Sequence, residues 1–151
     1  MEARQSGDLR VEHAFEAVRY RVYPETPLAE VVDLMVRRGA HAIPVVGEQY
    51  EVLGIITTGD ALNRVLRDGP SEDDDARDDR GALTARDVMT RAVLCVSETQ
   101  PLLDAARMMV NRDVEQLPVV RDGELIGLIT RDAVLGALHG SRDDQDEREE
   151  D

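Results

Sequence analysis

Two short stretches hold the residue types that could do chemistry. The first is Gly54-Ile55-Ile56-Thr57-Thr58-Gly59-Asp60, and the second is Gly127-Leu128-Ile129-Thr130-Arg131-Asp132-Ala133. In the first, a threonine closes a branched apolar run, and a carboxylate follows three residues later. If the run is a strand and the next residues open a helix, the first backbone N–H groups lack intrahelical partners. The helix dipole then favours an anion beside them. The Thr57 hydroxyl would add a neutral donor, and the Asp60 carboxylate, an acceptor with two oxygens, would suit two adjacent donors. Gly59 would let a ligand come close to the backbone. The same Thr-x-x-Asp spacing is also close to a capping box, a device that only starts a helix. The two readings are compatible, because a phosphate would use the N–H groups that the cap leaves free.

The second stretch departs from the first. Asp132 stands two residues after Thr130, and Ala133 takes the position that matches Asp60. One residue is about 100° of helix rotation, so that carboxylate points elsewhere unless the helix starts later. Asp132 would then be the N-cap, and Arg131 would either approach a phosphate or face solvent. The expectation is asymmetric: one competent site and one degenerate or differently used site. Around the first, Ala17 and Val18 at a strand start, and Ala42 and Ile43 before Pro44, are small or apolar enough to form a slot. The weaker second site would add Thr90, Val93, Gln116, Leu117 and Pro118 to Thr130, Arg131 and Asp132.

The elements that must position these residues are written twice. The stretch PLAEVVDLMVRRGAHAIPVV from Pro27 lies over PLLDAARMMVNRDVEQLPVV from Pro101, and VLGIIT (52–57) over LIGLIT (125–130). Each copy opens with a short strand, expected near Val18–Val22 and Val93–Val96. A proline then stands near the first helical position. Leu28, Val31, Val32 and Met35 fall on one helical face, as do Leu102, Ala105, Ala106 and Met109. Two β-rich runs and a second helix follow, with each proline suiting an edge or entry position. Strand, helix, strand, strand, helix gives a small α/β (α+β) fold, two β-α-β-β-α repeats packed through their sheets. The repeats are expected at 10–68 and 82–140. Residues 69–81 would form an acidic linker and 141–151 a disordered acidic tail, since neither stretch has the apolar groups to offset ordering.

Composition narrows the function. Apolar residues make up 42% of the chain, enough for a core, but aromatics only 3%, too few for a base-stacking platform. The net charge is −14 and every one of the 18 basic residues is arginine, a balance that repels nucleic acid and anionic membranes on average. The lone Cys95 sits in an apolar run and reads as a structural thiol. His13, His41 and His139 lack the spacing of a zinc site. No nucleophile has a recognisable base, and no signal peptide or membrane-length apolar segment is apparent, so a cytoplasmic, non-enzymatic protein is expected.

The paired pattern DVMT…V…PLxxAxxxM…LPVV…DGELIGLIT resembles CBS domains, which occur in tandem as a Bateman module. The second copy matches best, from residues 85–96 through 127–138; in the first, EHAFEA stands where RDVMTR stands in the second, so His13 replaces Asp87 and Phe15 replaces Met89. The resemblance covers roughly residues 10–140. It implies a free-standing regulatory module whose cleft between copies binds AMP, ADP, ATP or S-adenosylmethionine. The family pattern of Gly, two apolar residues, Ser/Thr, two residues, Asp is met in full only at Gly54–Asp60. The resemblance also implies homodimerisation through helical faces. No other cofactor is implied, and the protein partner is not identified. The alternative is an interaction or dimerisation module that binds no nucleotide.

Overall fold

Proline decides where the first long helix of each repeat begins. In the computed structural model, which describes residues 8–68, 83–91 and 94–149, Pro27 caps α1 (Leu28–Arg38) and Pro101 caps the matching helix, Leu102–Arg112. Both prolines are extended, with ψ near 140°, and hand the chain directly into the helix. The apolar stripes face inward as expected: Leu28, Val31 and Met35 are buried in one helix, Leu102, Ala105 and Met109 in the other. Gly39 ends α1 in the left-handed region (φ 67°), where a glycine has no Cβ to clash. Asp113 takes the same conformation (φ 53°) at the end of the matching helix.

In chain order the elements are β1 (Glu16–Ala17), α1, β2 (Ala42–Val46), β3 (Val52–Thr57), α2 (Thr58–Asp68), α3 (Ala85–Val88), β4 (Thr90–Arg91), β5 (Val96–Ser97), α4 (Leu102–Arg112), β6 (Gln116–Arg121), β7 (Glu124–Thr130) and α5 (Arg131–Glu149). They fall into two compact units. A middle unit is Arg19–Val93, and a terminal unit joins Met1–Val18 to Leu94–Asp151. The middle unit holds a sheet of order β2-β3-β4, the terminal unit one of order β1-β7-β6-β5. In each, an antiparallel hairpin carries one irregularity, at Val45/Val46 or Val119/Val120. Pro44 lies on the edge strand of its sheet, whereas Pro118 lies on β6, between β7 and β5.

The compact units do not follow the sequence repeats. The opening segment of the second repeat folds into the middle unit: Leu28 N–H donates to the Leu83 carbonyl, Ala85 N–H to the Thr26 carbonyl, and β4 pairs with β3. The opening segment of the first repeat folds in the same way onto the second. Leu102 N–H donates to the Leu9 carbonyl, Val11 N–H to the Gln100 carbonyl, and β1 pairs with β7. Gly54 and Gly127 mark where the segments cross. A Cβ on Gly54 would stand 2.7 Å from the Thr90 carbonyl oxygen and 2.8 Å from Met89 Sδ. One on Gly127 would overlap the Glu16 carbonyl oxygen and the Phe15 ring.

This exchange corrects the strand expected at Val18–Val22. Val18 N–H donates to the Ile126 carbonyl in the terminal unit, while Val22 pairs with Val45 in the middle unit. Two sheets take its two ends, so the alternating pattern does not make one strand. The matching strand is likewise shorter, Val96–Ser97, and is parallel to β6. The backbone of α5 also continues as helix through Glu149, past the point where a disordered tail was expected. Extending an existing helix adds a hydrogen bond per residue without a new nucleation step, and Gln, Glu and Arg suit it. The linker expected at 69–81 lies outside the described residues.

Candidate ligand site at the start of α2

Buried Ile55 and Ile56 anchor β3, so its last residue, Thr57, is delivered to a fixed place at the head of α2. There the box closes in both directions. Asp60 N–H donates to Thr57 Oγ1 at 3.1 Å, and Thr57 N–H donates to Asp60 Oδ2 at 3.0 Å. Thr58 N–H is taken by the His41 carbonyl at 2.9 Å. Helix geometry leaves Gly59 N–H without an intrahelical acceptor, and Gly59 is exposed. A methyl there would meet only Thr57 Oγ1, at 3.6 Å. The capping reading of Thr57 and Asp60 is therefore realised, and between them the N–H of an exposed residue, Gly59, is left without an intrahelical acceptor.

The exchange of opening segments rearranges the residues grouped by sequence. Thr90, assigned to the second site, stands on β4 opposite Ile55, and its hydroxyl donates to Asp60 Oδ2 at 3.5 Å. Ala17 and Val18, assigned to the first site, belong to the terminal unit beside Gly127 and Ile126. Ala42 lies opposite Thr57 on β2, where the sequence placed it. Ile43, however, is fully buried in the core and Pro44 is buried opposite Ile55, so neither is a free wall for a purine.

At the start of α5 the arrangement is incomplete. Ala133 N–H donates to Thr130 Oγ1 at 3.1 Å, but the alanine has no carboxylate to return the bond. Arg131 does not wait for a phosphate. Its guanidinium donates to the Val114 carbonyl at 2.8 Å, the Met109 carbonyl at 3.0 Å and Asp113 Oδ1 at 3.3 Å. These are the carbonyls at the C-terminal end of α4, where a cation is favourable and where Asp113 stands in place of a glycine. Asp132 is exposed and lines a shallow groove with Leu135, Gly136 and His139. Gln116 faces Thr130 across the hairpin, Leu117 is in the core, and Pro118 faces Leu128. Val93 lies outside the described residues.

One contribution escaped the sequence reading: His41 acts through its backbone carbonyl, which no side-chain pattern reveals. Asp87, which the sequence assigns to a cap or a solvated face, forms a second capping box with Thr84, in which Thr84 N–H donates to Asp87 Oδ2 at 2.8 Å. That bond holds the Asp87 carboxyl below the usual carboxylate range. Cys95 is half-buried, and burial pushes its thiol up. Among the described residues no His, Cys, Asp or Glu group is placed to hold a metal, and no helix is long and apolar enough to cross a membrane.

A pair of β-α-β-β-α repeats with a hydroxyl and carboxylate at a helix start defines a class. The CBS domain family profile matches residues 19–67 and 85–140, and the chain belongs to that family. The chloroplastic CBS domain-containing protein CBSX1 of Arabidopsis thaliana is 30% identical over 136 residues, 77% of this chain and 57% of its own. A protein of Methanopyrus kandleri is 31% identical over 113 residues, 74% of this chain and 54% of its own. The chain thus spans about half the length of these curated relatives. Among solved structures, CBSX2 in complex with AMP superposes with a TM-score of 0.71 at 26% identity, covering 88% of this chain and 98% of that one.

Proposed function

We propose that this chain is a non-catalytic regulatory module that binds an adenosine-containing ligand, AMP, ADP, ATP or S-adenosylmethionine, at the start of α2. The observation that carries this reading is the closed Thr57–Asp60 box with the exposed residue Gly59 between its two ends. Asp60 Oδ2 accepts from the protein, which orients Oδ1 to accept from a ribose hydroxyl. Gly59 N–H and the positive end of the helix would face a phosphate. The likeness to CBSX2, solved with AMP, supports the same ligand class. The repeats at 10–68 and 82–140 would act as one cytoplasmic module with neither DNA nor membrane as partner, and the ligand would bias a surface read by another protein. That bias is no larger than the ligand's difference in affinity between the two states.

Calorimetry of the full chain with AMP, ATP, NAD and S-adenosylmethionine tests this. One member of the panel is expected to bind, and Asp60→Ala to weaken it at least about tenfold, as losing a charged hydrogen-bond partner does. Asp60→Asn, which can keep the cap, separates loss of the carboxylate charge from loss of the helix start. Silence across the panel, with no nucleotide released from the denatured pure protein, would overturn the proposal.

A second reading has its own observation. Leu62, Val65 and Leu66 are 60%, 50% and 69% exposed at i, i+3, i+4 on α2. Such a stripe suits self-association into a homodimer. A dimer in sedimentation experiments together with a silent ligand panel would make the chain an interaction module alone.

A further inference from the structure

The opening segments of the two repeats are fastened by the same turn made from different chemistry. In the middle unit the acceptor is a carboxylate, Asp87, which takes the Thr84 N–H at 2.8 Å and the Thr84 hydroxyl at 3.2 Å. In the terminal unit the matching acceptor is an imidazole: His13 Nδ1 takes the Arg10 N–H at 2.9 Å. His13 N–H donates back to the Arg10 carbonyl at 3.0 Å, closing the turn Val11–His13. We propose that His13 is an acid-released latch on the segment that carries Val11 into the core and β1 onto β7.

An imidazole nitrogen accepts a hydrogen bond only when it is unprotonated, so this contact requires the neutral ring with its proton on Nε2. Protonation puts a second N–H where the Arg10 N–H already points, and the contact becomes a repulsion between donors. The new charge has another partner at hand. His13 Nε2 lies 3.9 Å from Glu12 Oε1, so the imidazolium would exchange a backbone contact for an ion pair. Glu12 is exposed, and such a pair compensates only weakly.

The other charged groups on the segments packed against this turn are already engaged. Glu98, whose carbonyl accepts from Glu12 N–H, has its carboxylate gripped by Arg121 at 2.5 and 2.6 Å. On α4, Asp104 is paired with Arg107 at 3.5 Å. Among the described residues, Asp8, the Arg10 guanidinium and Glu16 on β1 are the other charged groups along the segment itself.

The sign follows from the chemistry. The His13 contact is present with the unprotonated ring and is lost when the ring takes up a proton. The Asp87 contact behaves differently. Its carboxyl is held below the ordinary range, so its contribution persists until the pH falls through that lower value. Mild acid should therefore loosen the segment at residues 9–17 and leave the segment at 83–91 fastened.

Amide hydrogen exchange and imidazole ¹⁵N spectra of the full chain test the latch. Corrected for intrinsic rates, the Arg10 amide is expected to exchange about fivefold faster at pH 5.5 than at pH 7.5, the loss typical of one cap. In His13→Asp, which installs the carboxylate used at position 87, the ratio should stay below about twofold. The ¹⁵N spectrum of the unaltered protein at pH 7.5 should show His13 as the Nε2–H tautomer, independently of any variant's folding. Equal pH response in both proteins, or a proton on Nδ1 at neutral pH, would overturn the proposal.

Discussion

The starts of α2 and α5 occupy the same place in the two repeats, yet only α2 closes its cap with a carboxylate. At α2, Thr57 and Asp60 exchange backbone bonds, and Thr90 from β4 adds its hydroxyl to the same carboxylate. At α5, Thr130 receives the Ala133 N–H and nothing returns it. The contrast extends to the neighbouring strand. Thr90 faces Ile55, whereas Glu16 faces Leu128, so a carboxylate holds the register position that a neutral hydroxyl holds in the middle unit. Arginine choice follows suit, since Arg131 is spent on the end of α4. One helix start holds the groups that the proposed site would use, and the other lacks the carboxylate and ties its arginine to the end of α4.

The largest effect is expected where the two units are most alike. If Gly54 and Gly127 are small because an exchanged segment crosses them, either one changed to valine should damage its unit. Gly127→Val, set against the Glu16 backbone and the Phe15 ring, should cost about 3 kcal/mol in urea unfolding of the full chain. Gly54→Val should cost somewhat less, because Met89 is flexible and can move part of the way. Tolerance of either within about 0.5 kcal/mol would show that the crossing is not what these glycines serve.

These glycines also show what was legible. The apolar stripes of α1 and α4, the element order and the Thr57–Asp60 spacing were all readable, because each is a local pattern with a period or a fixed offset. The exchange of opening segments was not. It rests on two-residue strands, Glu16–Ala17 and Thr90–Arg91, too short to show a period, and their partners lie far along the chain. That is why Thr90 was grouped with Thr130, and Ala17 with Thr57. A glycine inside each buried β3-type strand was the available signal, since it marks a close backbone approach. It names the crossing without naming what crosses.

A smaller change sharpens the contrast between the helix starts. Ala133→Asp should complete the α5 box and raise stability by about 0.5–1 kcal/mol, read as a shift of the unfolding midpoint. It should not create a second binding site, because Glu16 still holds the place of Thr90. If the proposed ligand nevertheless bound with doubled stoichiometry in calorimetry of Ala133→Asp, the missing carboxylate alone would explain the asymmetry. If the pairing with Glu16 matters, only the combination with Glu16→Thr should do so.

The smallest expected change separates structure from ligand within α2 itself. Gly59 lies in the first turn with ordinary helical backbone, and a methyl group there touches nothing closer than Thr57 Oγ1 at 3.6 Å. For the protein alone, glycine is therefore the worse choice, and Gly59→Ala should stabilise it by about 0.5–1 kcal/mol. For a ligand whose phosphate sits over the Gly59 N–H, the same methyl would stand in the approach and weaken binding several-fold. Opposite signs in unfolding and in calorimetry would mean that position 59 serves a guest at the expense of the fold. A gain in stability with unchanged affinity would move the phosphate elsewhere, and leave Thr57 and Asp60 as the cap that their geometry already makes them.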